Sequence, residues 1–405
     1  MLFHKKKTTL LLVLIIALFT SCKKDNTSSS SKNITNNKKK LFTYLAPEQT
    51  GIHFINALKE TLDYNYYQYN YTYIGGGVAA GDLNDDGYVD LYFISNSGED
   101  KVYMNLGNLN FRDVSKSSGI SNNGGFSTGV TMADVNNDGL LDIYVCKGGL
   151  KDDNNELANK LYINEGNFHF SEQAEAYGLD DKNRSIQATF FDYDKDNDLD
   201  VYISNTPVVT GKEEVIDLNK VLNDPKTMDL KGCDRLYQNN GKGHFTDVSQ
   251  KAGLSYDIGF GLNPMVGDLN NDGWPDVYIC NDFNFPDLVY LNNKNGTFTE
   301  SRDKLFKHMS FNSMGSDLVD INNDGALDLM TLDMNPQDYI RSKTTMAMTS
   351  IDVFESMVSN GYHNQYMHNM LQLNNSNGTF SEISKMAGIA DTDWSWSILS
   401  ADFDL

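Results

Sequence analysis

The stretch Asp82-Leu83-Asn84-Asp85-Asp86-Gly87-Tyr88-Val89-Asp90 returns four more times along the chain. The copies are Asp134-Val-Asn136-Asn-Asp138-Gly139-Leu140-Leu-Asp142, Asp192-Tyr-Asp194-Lys-Asp196-Asn197-Asp198-Leu-Asp200, Asp268-Leu-Asn270-Asn-Asp272-Gly273-Trp274-Pro-Asp276 and Asp320-Ile-Asn322-Asn-Asp324-Gly325-Ala326-Leu-Asp328. All five read D-x-[DN]-x-D-[GN]-x-x-D. Oxygen-bearing side chains at positions 1, 3 and 5 can converge on one point if the chain turns sharply after position 5. Gly, or Asn197 in the third copy, supplies the positive φ that such a turn favours. Position 7 offers a backbone carbonyl, so its side chain is free to vary (Tyr88, Leu140, Asp198, Trp274, Ala326). Position 9 returns a carboxylate. Six to eight oxygens in a forgiving geometry suit Ca²⁺, so the spacing predicts about five calcium sites.

An EF-hand needs a bidentate Glu at position 12, entering a helix. Position 12 here is Phe93, Val145, Ile203, Ile279 and Thr331. The loops run instead into short β-branched and aromatic segments such as Leu91-Tyr92-Phe93-Ile94 and Val277-Tyr278-Ile279, which read as strands. The five loops hold 18 Asp and one Lys. So many carboxylates in tight turns repel one another without counter-charge.

A second element alternates with the loops: Val102-Tyr103-Met104-Asn105-Leu-Gly107 followed by Phe111, and its counterparts ending in Asn164, Asn239, Asn292 and Asn374. Each reads as strand, Asn/Gly turn, strand, hence a hairpin. Loop-hairpin units give four strands apiece, and four-stranded units repeated round an axis make a β-propeller. The motif starts at 82, 134, 192, 268, 320 and 402, so the shortest spacing is 52 residues. The expected fold is all-β: a propeller of about six to seven four-stranded blades, the last one truncated. The two long spacings mark insertions at Thr206–Gly232 and Asn335–Met370, the first with a short helix near Glu213 to Leu222, the second with Ile351, Phe354, Met357 and Val358 at helical spacing. Asp402-Phe403-Asp404 opens a sixth loop that Leu405 ends before position 5, which we read as a truncated product or an excerpt of a longer chain. Ring closure then depends on residues beyond Leu405, or on strands from Leu41 to Tyr73.

The N-terminus is expected to be an address. His4-Lys5-Lys6-Lys7 precede a ten-residue apolar run, Leu10 to Phe19. That run is too short for a spanning helix, which takes about 20 residues, and has the dimensions of a signal-peptide core. Phe19-Thr20-Ser21-Cys22 resembles a bacterial lipobox, although Phe stands where Leu is commonest. The resemblance implies cleavage before Cys22 and a lipid on its thiol; the alternative is an ordinary secretory signal with an incidental Cys. Residues 22–40 have the composition of a flexible tether. The domain plan is therefore signal peptide 1–21, tether 22–40 and propeller 41–405, held outside the cytoplasm at a bacterial membrane, by expectation the outer one. Cys146, Cys233 and Cys280 are expected to be buried free thiols.

The chain of 405 residues has 33 Lys+Arg against 55 Asp+Glu, a net charge of −22. That excludes a nucleic-acid partner needing a basic footprint. Loss of residues 1–21 takes the charge to −25, and five calcium ions would bring it to −15.

Tyr73-Ile-Gly-Gly-Gly-Val-Ala-Ala-Gly-Asp82, Met314-Gly315-Ser-Asp-Leu-Val-Asp320 and Asp393-Trp394-Ser395-Trp396-Ser397 resemble FG-GAP/VCBS-repeat propellers, in particular the group related to ASPIC/UnbV proteins and cartilage acidic protein. The resemblance covers about residues 41–405 and implies an integrin-α-like propeller with Ca²⁺ in loops on one face. The C-terminal ASPIC/UnbV domain that such proteins often carry has no counterpart in the sequence.

No His-Glu-x-x-His helix, G-x-S-x-G elbow or phosphate loop occurs. His363 and His368 are the one near pair of histidines, and their neighbours suggest buried, hydrogen-bonded residues. Carboxylate pairs for glycoside chemistry stay open, since sequence spacing does not give spatial separation. The leading expectation is a lipid-anchored, calcium-binding module for a protein or glycan ligand. The alternatives are a carbohydrate-active enzyme or accessory subunit of a polysaccharide-processing system, and a structural spacer. Tyr64 to Tyr73, Trp394 and Trp396 are either a contact surface or packing between blades.

Overall fold

The computed structural model describes residues 42–403 except 63, 122–124, 151–153, 208–214, 222–229, 257–258 and 346–349. The signal peptide, the lipidation candidate Cys22 and the tether lie outside the described residues. The chain divides into a small unit (Met1–Tyr44 with Phe403–Leu405) and a large one, Leu45–Asp402. In the small unit the rings of Phe42 and Phe403 meet edge-on at 5.6 Å.

The large unit contains five four-stranded antiparallel sheets, four of them built from consecutive strands as the loop-hairpin pattern predicts and the fifth interrupted once. Blade 1 is β1 (Val78–Gly81), β2 (Asp90–Phe93), β3 (Lys101–Asn105) and β4 (Phe111–Asp113). Blade 2 is β5 (Phe126–Ala133), β6 (Asp142–Gly148), β7 (Lys160–Asn164) and β8 (Phe170–Glu172). Blade 3 is β9 (Ser185–Phe191), β10 (Asp200–Asn205), β11 (Arg235–Asn239) and β12 (Phe245–Asp247). Blade 4 is β13 (Phe260–Gly267), β14 (Asp276–Asp282), β15 (Leu288–Asn292) and β16 (Phe298–Glu300). A short parallel pair, β17 (Met309–Ser310) with β20 (Gln365–Tyr366), precedes and interrupts blade 5: β18 (Ser316–Val319), β19 (Asp328–Thr331), β21 (Met370–Asn374) and β22 (Phe380–Glu382). First strands of successive blades lie side by side, β1 on β5, β5 on β9, β9 on β13 and β13 on β18. That is a propeller arrangement.

In blades 2, 3 and 4 the second strand is dry along its whole length: every residue of β6, β10 and β14 is buried. Clusters then form between blades: Val145, Ile94 and Phe170 join blades 1 and 2, whereas Tyr144, Ile203 and Phe245 join blades 2 and 3. Gly178 shows how closely the units pack. It has φ +74, and a Cβ there would stand 2.6 Å from the Phe245 carbonyl oxygen of the next blade, so both backbone and contact demand glycine.

The residue six before each acidic motif lines one axial cavity: Gly76, Thr128, Ile186, Leu262, Met314 and, before Asp402, Trp396. Trp396 thus holds the sixth equivalent place, beside the five blades. Asn369 Nδ2 donates to Thr392 Oγ1 at 2.7 Å, and the Ser400 N–H donates to Asp317 Oδ2 at 2.6 Å, fastening this segment to blade 5.

The described residues between 42 and 73 contain no strand, in contrast to the strands considered for ring closure. Their Tyr/Asn-rich sequence lacks a two-residue alternation. It folds instead as a short helix (Pro47–Thr50), a 3₁₀ turn (Asn70–Tyr73) and loops. Tyr69 and Tyr71 bury themselves against Phe126, Ile186, Leu262 and Met314, and Tyr71 OH donates to Asp282 Oδ2 at 3.2 Å. Tyr66, Tyr67 and Tyr73 stay exposed, so only part of the aromatic run is used in packing. In the insertions, helices form at Leu218–Val221 and Ile351–Ser359. Of the second helix only Met357 is buried; Ile351 and Val358 face solvent. Cys146 and Cys280 are buried free thiols, and Cys233 is buried as well.

Candidate metal centre

Each acidic segment closes the turn between the first and second strands of its blade. The pairs Gly81–Asp90, Ala133–Asp142, Phe191–Asp200, Gly267–Asp276 and Val319–Asp328 are the last rungs before the loop. Position 1 organises the turn. Asp82, Asp134, Asp192, Asp268 and Asp320 accept N–H bonds from positions 5 and 6, for example Asp86 N at 3.2 Å and Gly87 N at 2.7 Å on Asp82. Position 5 then accepts the N–H of position 7: Tyr88 on Asp86, Leu140 on Asp138, Asp198 on Asp196, Trp274 on Asp272 and Ala326 on Asp324. Position 6 has positive φ in every loop, 73° at Asn197 and 83–89° at the glycines. Position 4 is left-handed as well (Asp85, Asn137, Lys195, Asn271, Asn323, φ 57–60°), which the sequence reading had not assigned. Asn, the commonest residue there, tolerates that region best after Gly.

Position 9 is a buried bracket. Asp90, Asp142, Asp200, Asp276 and Asp328 are at most 1% exposed. One oxygen of each accepts the N–H of position 2 and the other accepts the N–H of the Asn ending the third strand, as in Asp142 with Val135 (3.1 Å) and Asn164 (2.8 Å). The same asparagines reach across to the preceding blade. Their amide nitrogens donate to the position-2 carbonyl of its loop: Asn164 to Leu83, Asn239 to Val135, Asn292 to Tyr193 and Asn374 to Leu269. Loop order and blade docking are thereby one structure. Lys195 adds a further link, donating to the Gly273 carbonyl with its ammonium 4.8 Å from the Trp274 ring centroid.

Electrostatics single out the third loop. One carboxylate oxygen each of Asp192, Asp194 and Asp200 lie within 4.8 Å of one another, the only such trio of acidic, Cys or His ligand atoms among the described residues. The other loops carry Asn at position 3 (Asn84, Asn136, Asn270, Asn322). In the first, second and fifth loops that amide nitrogen donates to the position-5 carboxylate at 2.9 Å. Buried oxygens without a hydrogen-bond partner remain on Asp194 (Oδ1), Asp198 (Oδ1) and Asn84 (Oδ1). Unpaired buried carboxylate oxygens are costly, and a hard cation is what such donors fit. Burial, helped by the neighbouring loop carboxylates, pushes Asp142 up to about 6, Asp276 to about 7 and Asp200 to about 8, against backbone N–H bonds that pull the other way. Asp198 rises to about 6 through burial and then repulsion from Asp196. Burial also works to raise Asp82, but four backbone N–H groups outweigh it and hold that carboxyl below its ordinary value.

A second bracket sits at the other end of each blade, and the sequence reading missed it. Asp100, Asn159, Asp234, Asp287 and Asn369 each accept, through Oδ1, the backbone N–H just beyond the second strand or at its end: Ser95, Lys147, Asn205, Asn281 and Asp333 at 2.7–2.8 Å. Four of them also bond a buried tyrosine hydroxyl, Tyr92, Tyr144, Tyr202 or Tyr278. A usable signal was present, since each stands five residues before the third-strand asparagine. His363 and His368 are buried, with Nδ1 beside the carbonyls of Asn364 (3.3 Å) and Asn369 (2.8 Å).

The FG-GAP-like repeat family matches at residues 82–145, 221–279 and 268–331. The chain carries FG-GAP-like repeats. Two of the three matched segments start on position 1 of an acidic loop, Asp82 and Asp268, so the FG-GAP unit includes the turn described above. No curated protein matches the chain. Among solved structures it is similar to the Vibrio cholerae biofilm matrix protein Bap1 (12% identity, 76% of this chain and 38% of that one, TM-score 0.36). It is also similar to a Trypanosoma rangeli sialidase (10%, 76% and 47%, TM-score 0.37) and a Bombyx mori GH32 β-fructofuranosidase (10%, 76% and 62%, TM-score 0.32). The chain spans less than two thirds of each of these proteins, and likenesses so loose carry no activity across.

Proposed function

We propose that this FG-GAP-repeat chain is a calcium-stabilised binding module outside the cytoplasm, anchored through a lipid on Cys22, whose propeller presents a surface to a protein or glycan. The observation that carries the metal part is the third loop, where three carboxylates converge and Asp194 and Asp198 keep buried oxygens without partners. Asp192, Asp194, Asp196 and Asp200, with the position-7 residue Asp198, would hold the ion there. Residues at the same positions would do so in the other loops, from Asp82, Asn84, Asp86, Tyr88 and Asp90 to Asp320, Asn322, Asp324, Ala326 and Asp328. Bound Ca²⁺ supplies positive charge to a crowded set of carboxylates. The protein's own part is to hold those oxygens in place through the N–H bonds of positions 5, 6 and 7.

Extracellular calcium modules bind with a Kd of about 10⁻⁴–10⁻³ M, so millimolar calcium adds about 1 kcal/mol per site. The ions therefore serve architecture, and the binding surface lies elsewhere on the blades. The test immobilises the chain with calcium and exposes it to panels of purified extracellular proteins and polysaccharides. Retention of a defined ligand without turnover supports the module; turnover of a polysaccharide would replace it with an enzyme. Metabolic labelling with palmitate, lost in Cys22→Ser, tests the anchor.

A further inference from the structure

The axial cavity is unlike the rest of the molecule. In a chain of net charge −22, none of the residues lining it is charged. It combines an indole (Trp396), aliphatic surface from Ile186, Leu262 and Met314, and the neutral polar groups of Thr128, Gln187, Asn263 and Ser397. The aliphatic and indole members come from the position six before the acidic motif. The amides Gln187 and Asn263 come from the next residue along, so β9 and β13 each bring one apolar residue and one amide residue to the cavity. Asn263 Oδ1 accepts from Ser316 Oγ at 3.2 Å, while its amide nitrogen makes no hydrogen bond among the described residues. Trp396 keeps 38% of its surface exposed.

Gln187 Nε2 and Thr128 Oγ1 already donate to Thr131 Oγ1 and the Ser185 carbonyl, so a ligand for such a hollow needs an apolar face for the indole, a hydroxyl for the Asn263 amide, and no charge. A charged group would have to shed its hydration without a counter-ion to receive it. With a volume of about 210 Å³, the cavity falls below the roughly 300 Å³ at which sites for drug-sized molecules begin, which limits the occupant to about one ring.

Resting on the binding-module reading above, we propose that the axial cavity is a binding site for a single neutral sugar residue, with the Trp396 indole and the Asn263 amide as its specificity-determining groups. The absence of a carboxylate from its lining makes it a site of retention rather than hydrolysis, because glycoside cleavage needs an acid and a base or nucleophile flanking the bond.

Saturation-transfer NMR tests this with methyl β-D-glucopyranoside, methyl β-D-galactopyranoside, methyl α-D-mannopyranoside and, as the charged counterpart, glucuronate. At least one neutral glycoside should bind with a Kd of about 1 mM, as befits so small a ligand, and glucuronate should bind at least tenfold more weakly. Asn263→Ala and Trp396→Ala should each weaken binding fivefold or more with the melting temperature kept. If Trp396→Ala fails to fold, Trp396→Phe and Asn263→Ala carry the test. Absence of binding by all three glycosides, equal binding of glucuronate, or variants that bind as the parent does would each overturn the site. Retention of a purified protein ligand without glycoside binding overturns the axial site alone and leaves the module intact.

Discussion

The side-chain amide of Asn292 donates to the main-chain carbonyl of Tyr193, 2.8 Å away and in the neighbouring blade. Asn292 ends the third strand of blade 4 and Tyr193 is the second residue of blade 3's acidic loop. The backbone N–H of the same asparagine is held by Asp276 of its own loop at 2.8 Å. One residue therefore ties two acidic loops together, and the relationship recurs at Asn164, Asn239 and Asn374. Any ion bound in a loop is thereby coupled to blade docking through this latch.

Replacing that latch should be felt at both ends. Asn292→Ala removes a buried donor and leaves the Tyr193 carbonyl without it, at a cost of about 1–3 kcal/mol. Denaturant unfolding is expected to show that loss, and calorimetry should show weaker calcium binding at the third loop. An unchanged calcium titration would uncouple loop from junction.

The third loop should also separate metal binding from packing. Asp194→Asn keeps the shape but removes one of the converging charges and its unpaired buried oxygen. Calcium affinity at that site should fall tenfold or more. The chelated variant should melt at the parent's temperature or above it, because carboxylate repulsion is relieved. Equal destabilisation with and without calcium would mean that Asp194 only packs.

The buried position-9 carboxylates impose a pH dependence. Their folded-state values, about 6 for Asp142, about 7 for Asp276 and about 8 for Asp200, lie above the ordinary 3.8. Between these limits the folded protein holds protons that the unfolded chain has released, so their contribution to stability is greatest below about 4 and is lost as pH rises. Melting of chelated protein between pH 5 and 8 should shift downward with pH. Calcium should reverse the trend and bind with proton release. A chelated protein that gains stability over this range contradicts the assignment.

Close packing between blades gives a test independent of metal. Gly178→Ala places a Cβ 2.6 Å from the Phe245 carbonyl at φ +74. Strain of this kind costs about 1–3 kcal/mol, and Ile203→Ala, in the adjoining cluster, about 2–5 kcal/mol. Thermal unfolding measures both, and both losses should persist in saturating calcium.

Strands, hairpins and acidic turns were legible because their residue types are dictated locally: a left-handed backbone at position 6 calls for Gly or Asn, and a buried second strand calls for Val, Ile and Tyr. Asp142 and its equivalents were read as ligands alone, since nothing in the linear pattern tells that both oxygens accept backbone N–H bonds. The brackets Asp100, Asn159, Asp234, Asp287 and Asn369 escaped notice because an Asp or Asn before a strand is also an ordinary turn residue. Residues 42–73 were misjudged as possible strands for a tertiary reason: Tyr69 and Tyr71 are recruited by apolar surface contributed by several blades. Trp396 acquires its meaning only when the six equivalent positions are seen round one cavity.

Calcium in the acidic turns is the central claim, and titration of chelated, refolded protein with Ca²⁺ by calorimetry, with elemental analysis of the product, tests it most directly. Several equivalents per chain, with a rise in melting temperature on saturation, are predicted. A protein that takes up no calcium and melts at the same temperature with and without it would contradict the claim.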